Sequence, residues 1–222
     1  MRKFLVALVI LAVVLVVLDR AGLFIAQREI GSRVQSAYGL PARPGVSVQG
    51  FPFLTQVASG NYQQIDVSIK SASAGGVQLE NIDATFTGVH APLSLLFGQS
   101  GNGVTADNAT GTALIPFSQV QRRLPAGIRI SPDGSSDLHV SGTGGYGTVR
   151  GTAKLGVSSS GITVRPQRLS IAGISAQSLA SRLTFTIPVG ELPLHLTVTA
   201  VHVTQDGLVV DAAGHNVKFA SA

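Results

Sequence analysis

Five histidines, eleven carboxylates and no cysteine make up the reactive inventory of this chain. Without cysteine there is neither a thiolate nucleophile nor a soft metal ligand. His90, His139, His195, His202 and His215 form no His-Glu-x-x-His pattern and no other close zinc pair. His195 falls on the polar phase of its segment and is expected to face solvent. No Gly-x-Ser-x-Gly elbow is present, which argues against an ordinary α/β-hydrolase. Asp133-Gly134-Ser135-Ser136-Asp137 offers oxygen ligands but lacks the rest of an EF-hand loop, so it reads as a turn. Gly142-x-Gly144 follows a strand without opening a helix of the dinucleotide type. Asn108-Ala109-Thr110 is a glycosylation sequon only in a eukaryotic secretory route. Asp66 and Glu80 stand isolated, and no spacing requires a general acid–base pair. The chain reads as no enzyme, with no catalytic residue, no metal site and no cofactor.

The richest motif is apolar. Gly50-Phe51-Pro52-Phe53-Leu54-Thr55-Gln56 runs on to Val57 and then to Gly60-Asn61-Tyr62. Pro52 fixes one backbone angle and removes a donor, so the segment suits the start of a short helix across a sheet end. Its rings either pack in an ordinary core or line the mouth of an apolar cavity. On the second reading Phe51, Phe53, Leu54, Val57, Phe86, Leu96, Phe97 and Phe117 are the lipid-binding candidates. Arg122 and Arg123, on the exposed side of a short helix, are the candidates for holding a phosphate headgroup by charge-assisted hydrogen bonds.

Those residues need a position relative to a membrane, and the N-terminus supplies one. Arg2 and Lys3 precede Phe4 to Leu18, an unbroken apolar run. Such a run leaves water with a gain of roughly 0.8 kcal/mol per methylene, and the two cations keep its start cytoplasmic. The run matches a long signal-peptide core or, extended past Asp19 and Arg20 to Ala26, a spanning helix with those two residues at the outer interface. Anchored or cleaved, the rest of the chain is exported, to the extracytoplasmic side of the plasma membrane or to the cell envelope. The expected organisation is a signal or anchor helix over 1–26, an amphipathic helix and linker over 27–44, and a β-rich domain over 45–222.

Net charge is +5 and unevenly spread. Eight cations from Arg122 to Arg182 face only Asp133 and Asp137, whereas Arg43 to Gln119 is acidic on balance. An exported basic face meets anionic lipid headgroups or other envelope polyanions rather than nucleic acid. Glycine is abundant and charged residues are few, a β-rich composition.

Gly22 to Tyr38 has helical spacing and is stopped by Gly39 and Pro41. From Val46 the apolar period becomes two. Ile65, Val67 and Ile69 mark one strand. Val77 and Leu79 mark the next, with a phase slip at Glu80-Asn81 that predicts a bulge before Ile82, Ala84 and Phe86. Leu138 and Val140 open another strand. A glycine-rich turn then leads to Val149–Val157, and Ile162 to Ile171 follows, interrupted at Pro166. The last strands are expected to be the longest, from Leu194 through a slip at Ala200-Val201, with a hairpin turn at Gln205-Asp206-Gly207 and a return over Leu208 to Ala212. Short helices are expected at Pro92–Phe97, Phe117–Leu124 and Ala176–Leu183. Long bulged strands with one apolar side predict a strongly curved sheet enclosing an apolar concavity.

On Gly50-Phe51-Pro52-Phe53-Leu54-Thr55-Gln56, Gly60-Asn61-Tyr62 and Asp206-Gly207-Leu208-Val209-Val210, together with a leading apolar helix, the chain resembles the LmeA-like phospholipid-binding family of actinobacterial envelope proteins. The resemblance implies an α+β fold of the tubular lipid-binding type, a long curved antiparallel sheet wrapped along a helix. It also implies an exported protein that binds phospholipid, anionic species such as phosphoinositides among them, and a role in envelope glycolipid assembly. A structural envelope scaffold whose sheet is simply a filled core is the alternative.

Overall fold

The computed structural model describes residues 2–74, 76–92, 103–122, 124, 126–134, 137–144, 147–158, 161–171, 174–175, 184–187 and 192–219. The expected helices at Pro92–Phe97 and Ala176–Leu183 lie outside these apart from Pro92, as do Leu96, Phe97 and Arg123. The described fold is α+β with antiparallel sheets.

Helix α1 runs unbroken from Arg2 to Ala37, so the apolar run and the following amphipathic stretch are one element. It ends in a Schellman arrangement: Gly39 takes a left-handed φ of 58°, its N–H donates to the Ser36 carbonyl, and Leu40 N–H donates to that of Gln35. The first sheet has the order β1 (Gly45–Gln49), β2 (Asn61–Ala74), β3 (Val77–His90), β4 (Thr105–Pro116), β12 (Gly207–Lys218), β11 (Thr197–Val203). Helix α2 (Phe53–Ser59) joins β1 to β2, and α3 (Phe117–Gln121) follows β4. The second sheet has the order β10 (Phe185–Ile187), β8 (Gly161–Ile171), β7 (Gly147–Ser158), β6 (Asp137–Gly144), β5 (Ile128–Asp133), with β9 (Ile174–Ser175) pairing β8.

The chain divides into two compact units, and β2, β3, β4 and β12 each contribute residues to both. Unit 1 holds residues 1–69, 83–109 and 215–222. Unit 2 holds residues 70–82 and 110–214. The hydrophobic core of unit 2 is filled by Ile115, Leu138, Ile162, Val164 and Leu208, none more than 2% exposed, with Val140, Val149, Val203 and Val210 around them. Each such side chain contributes about 1.5–3 kcal/mol on leaving water.

The phase slip expected at Glu80-Asn81 coincides with a left-handed Asn81 (φ 48°) and two consecutive exposed residues, after which burial resumes with Phe86. A second slip in β3, at left-handed Gly88, brings Val89 inward and has no apolar signature in the sequence. Pro166 does not interrupt β8. The strand is continuous, and the β7–β8 pairing shifts there, so that Ala153 faces Pro166 while Thr152 faces Arg168. A bulge accommodates a residue that has no N–H to donate.

Two expectations about the last strands are overturned. Leu194 and His195 belong to a 3₁₀ turn with left-handed φ of 63° and 56°, so β11 begins only at Thr197 and has seven residues. The longest described strands are β2 and β3, at 14 residues each. The slip near Ala200 is present as a register shift between Val198 and Ala200, and the Gln205-Asp206-Gly207 turn joins β11 to β12.

Candidate functional site

The Gly50–Tyr62 motif folds as a clip that holds α2 against α1, β1 and β2 within unit 1. Gly50 has φ of 100°, and a Cβ there would lie 2.7 Å from Gln56 Nε2, so glycine is required. Gln56 is buried; its Nε2 donates to the Gln49 carbonyl at 3.1 Å and its Oε1 accepts from Gln63 N–H at 2.9 Å. Both ends of the side-chain amide are thereby used to tie α2 to β1 and β2. Gly60 closes α2 in the left-handed region (φ 70°), and its carbonyl accepts from Ala91 N–H at 2.8 Å.

The N-terminus of α2 is tied to α1. Pro52 occupies the N-cap position and offers no side-chain acceptor. The acceptor comes from 35 residues away: Asp19 Oδ1 receives the Leu54 N–H at 2.8 Å. Asp19 is 3% exposed, and its Oδ2 lies 3.0 Å from Arg20 Nη2. A carboxylate at a helix N-terminus satisfies an orphan donor and complements the helix dipole. Arg20 in turn lies over the Phe51 ring, 5.0 Å from its centroid. Further along α1, Arg28 covers Phe24 at 4.5 Å.

The predicted lipid-binding residues separate into two groups. Phe53 is buried and faces Tyr62, with ring centroids 6.3 Å apart. Phe86 is buried against Phe219 at 5.0 Å. Phe51 is 61% exposed and Leu54 43%, while Val57 is half-buried. Phe117, in unit 2, packs in part against that unit's core. Arg122 is exposed and caps the C-terminus of α3.

Sequence reasoning missed the role of Asp19, read there as an interfacial residue. The only signal was Pro52, a helix start with no cap of its own. It also missed a polar network on the first sheet: Asp66 accepts from Gln49, Gln64 and Thr85 at 3.0, 2.8 and 2.9 Å. Burial disfavours the Asp66 carboxylate, but these three donors outweigh it and hold its pKa below the usual value. Burial raises the Tyr62 phenol. Histidine–carboxylate pairs arise across strands. His90 Nε2 lies 3.6 Å from Asp107, with Nδ1 2.6 Å from Asn61 Oδ1; in unit 2, His202 Nε2 lies 3.1 Å from Asp211. The members of the His90 pair are more than half exposed. His195 is exposed as expected, but in a 3₁₀ turn rather than on the polar phase of a strand. Unit 2 carries a pocket of about 290 Å³ lined by Asn81, Thr112, Ala113, Leu114, Thr204, Asp206 and Val209. Its mixed lining and its volume, at the bottom of the range for small-ligand sites, do not suit a diacyl lipid.

A model of the LmeA-like phospholipid-binding family matches residues 17–213. The chain belongs to that family. The match opens two residues before Asp19 and spans the whole α1–α2 clip and the Asp206–Val210 turn. In that turn a Cβ on Gly207 would collide with the Ile115 carbonyl oxygen, so the glycine is a packing requirement. No curated protein and no solved structure matches the chain. Family membership supports a phospholipid-binding protein.

Proposed function

We propose that the chain is a non-catalytic phospholipid-binding protein of the cell envelope, anchored in the plasma membrane with its β-rich domain on the extracytoplasmic side. Family membership is the observation that carries this reading. Anchoring is supported by α1, a helix long and apolar enough to cross a membrane, on which every side chain from Phe4 to Leu18 is exposed. Arg2 and Lys3 favour a cytoplasmic N-terminus.

Acyl chains are taken up in an apolar concavity of the tubular lipid-binding type. The long strands β2 and β3, with left-handed breaks in β3, are of the kind that bend a sheet around a ligand. Within unit 1, Phe51, Leu54 and Val57 stand at its entrance, and Phe53 and Phe86 back the wall. Arg122 and Arg123 hold an anionic headgroup, a phosphoinositide being one fit. Through this lipid the protein supports envelope glycolipid assembly. The structural scaffold is the second reading, favoured by the filled core of unit 2. Native mass spectrometry of the purified full chain separates them: retained phospholipid supports the carrier, and a folded chain free of lipid supports the scaffold.

A further inference from the structure

The exposed apolar face of unit 1 continues directly from the anchor. The 15 residues Phe4–Leu18 rise about 22 Å as a helix, against a hydrocarbon core of about 30 Å. The shortfall of about 8 Å corresponds to about five more residues, which carries the core to the level of Leu23. Asp19 and Arg20 fall inside that stretch, where a free carboxylate is costly.

The α1–α2 clip removes this conflict. Asp19 is buried, with Oδ1 accepting from Leu54 N–H and Oδ2 held only by the Arg20 charge at 3.0 Å, without a hydrogen bond of its own. The outward positions at this level include four large apolar side chains, Phe51 (61% exposed), Leu54 (43%), Phe24 (56%) and Ile25 (67%), beside exposed Arg20, Arg28 and Thr55. Arg20 and Arg28 lie over Phe51 and Phe24, the arrangement in which a cation reaches lipid phosphate while its stem stays on apolar surface. Gly22 faces α2: a Cβ there would sit at ordinary van der Waals distance, 3.6 Å, from Leu54 Cδ2.

We infer that α2 and the Asp19–Arg28 stretch of α1 form a collar immersed in the outer phospholipid interface, which completes the apolar span begun by Phe4–Leu18 and seats the domain at the headgroups. The occupant of this face is the bilayer surface, with Phe51, Phe24, Leu54 and Ile25 in its upper acyl region and Arg20 and Arg28 at its phosphates. The inference rests on the anchoring part of the proposed function and not on the acyl-holding concavity.

The chain contains no tryptophan, so single substitutions give clean depth probes. The full chain is reconstituted in vesicles of phosphatidylcholine and phosphatidylglycerol, with and without phosphatidylcholine brominated on its acyl chains. Three variants are compared: L11W in the apolar run, F51W in the collar and Y38W beyond the end of α1. The collar requires blue-shifted emission and strong bromine quenching for L11W and F51W, with Y38W unquenched. Quenching of L11W alone overturns the collar while leaving the anchor standing. Absence of quenching in both overturns collar and anchor together. Blue-shifted but unquenched F51W emission that varies with protein-to-lipid ratio means that a second copy covers the face, and it also overturns the proposal. Absence of co-purified lipid from the unsubstituted chain, with F51W still quenched, refutes the acyl-holding reading and leaves the collar intact.

Discussion

Replacing Asp19 with alanine tests whether a carboxylate on the anchor helix holds α2 in place. Leu54 N–H belongs to the first turn of α2 and has no acceptor within the helix. Pro52 supplies none, and Asp19 Oδ1 at 2.8 Å is the partner. Loss of an N-cap acceptor costs about 1–2 kcal/mol, and stranding a donor beneath apolar side chains costs a similar amount. Because α2 has only seven residues, the loss falls on local opening rather than on global unfolding. At 1.4 kcal/mol per decade, 1–2 kcal/mol corresponds to roughly 5–30-fold faster amide exchange. The assay is hydrogen exchange read by mass spectrometry on the peptide covering residues 53–60, whose Gly60 N–H closes the helix. D19N keeps a carbonyl acceptor and loses the ion pair with half-exposed Arg20, a pairing of about 0.2–1 kcal/mol, so its exchange rises by at most about fivefold. Exchange in D19A equal to that of the parent chain would refute the latch. Equal acceleration in D19N and D19A would show that charge, not the hydrogen bond, holds the helix.

Leu138 is fully buried in the core of unit 2, so L138A should cost about 2–5 kcal/mol in denaturant unfolding; a loss under 1 kcal/mol would mean that the core is not packed as described. Asp66 is held below its ordinary pKa by Gln49, Gln64 and Thr85, so its contribution is present above the unfolded-state value of about 3.9 and disappears as pH falls through the lower folded value. D66N should therefore flatten the acid side of the stability profile, and an unchanged profile would contradict the network. Charge reversal at both Arg122 and Arg123 should weaken binding to anionic vesicles at low salt with far-ultraviolet circular dichroism unchanged; full retention of binding would remove them as headgroup ligands.

Much of the fold was legible because its strands keep one wet face. Ile65, Val67 and Ile69 in β2 alternate cleanly, and the slip at Glu80-Asn81 was visible as a break in that alternation. β4 and β5 carry no clear alternation. Thr105–Pro116 is diluted by Asn108, Thr110, Gly111 and Thr112, so its period of two is faint, and Ile128–Asp133 ends in Pro132 and Asp133. The strand expected from Leu194 failed because period two is also met by residues in a turn, and only backbone angles reveal the left-handed Leu194 and His195. The site was legible as a motif but not as a mechanism. Gly50, Gln56 and Gly60 carry no apolar signal, yet they shape the clip. Asp19 stands 35 residues from its partner, a pairing that only the tertiary fold brings about.

The central claim is that the folded chain carries phospholipid. The direct measurement is organic phosphate and lipid mass per mole of full-length chain, purified from its own membrane in a detergent that leaves the domain folded and washed extensively in that detergent. A stoichiometric phospholipid that survives washing and exchanges with added labelled lipid is the predicted result. A folded chain with no lipid above the detergent background, and no uptake when lipid is offered, would contradict it.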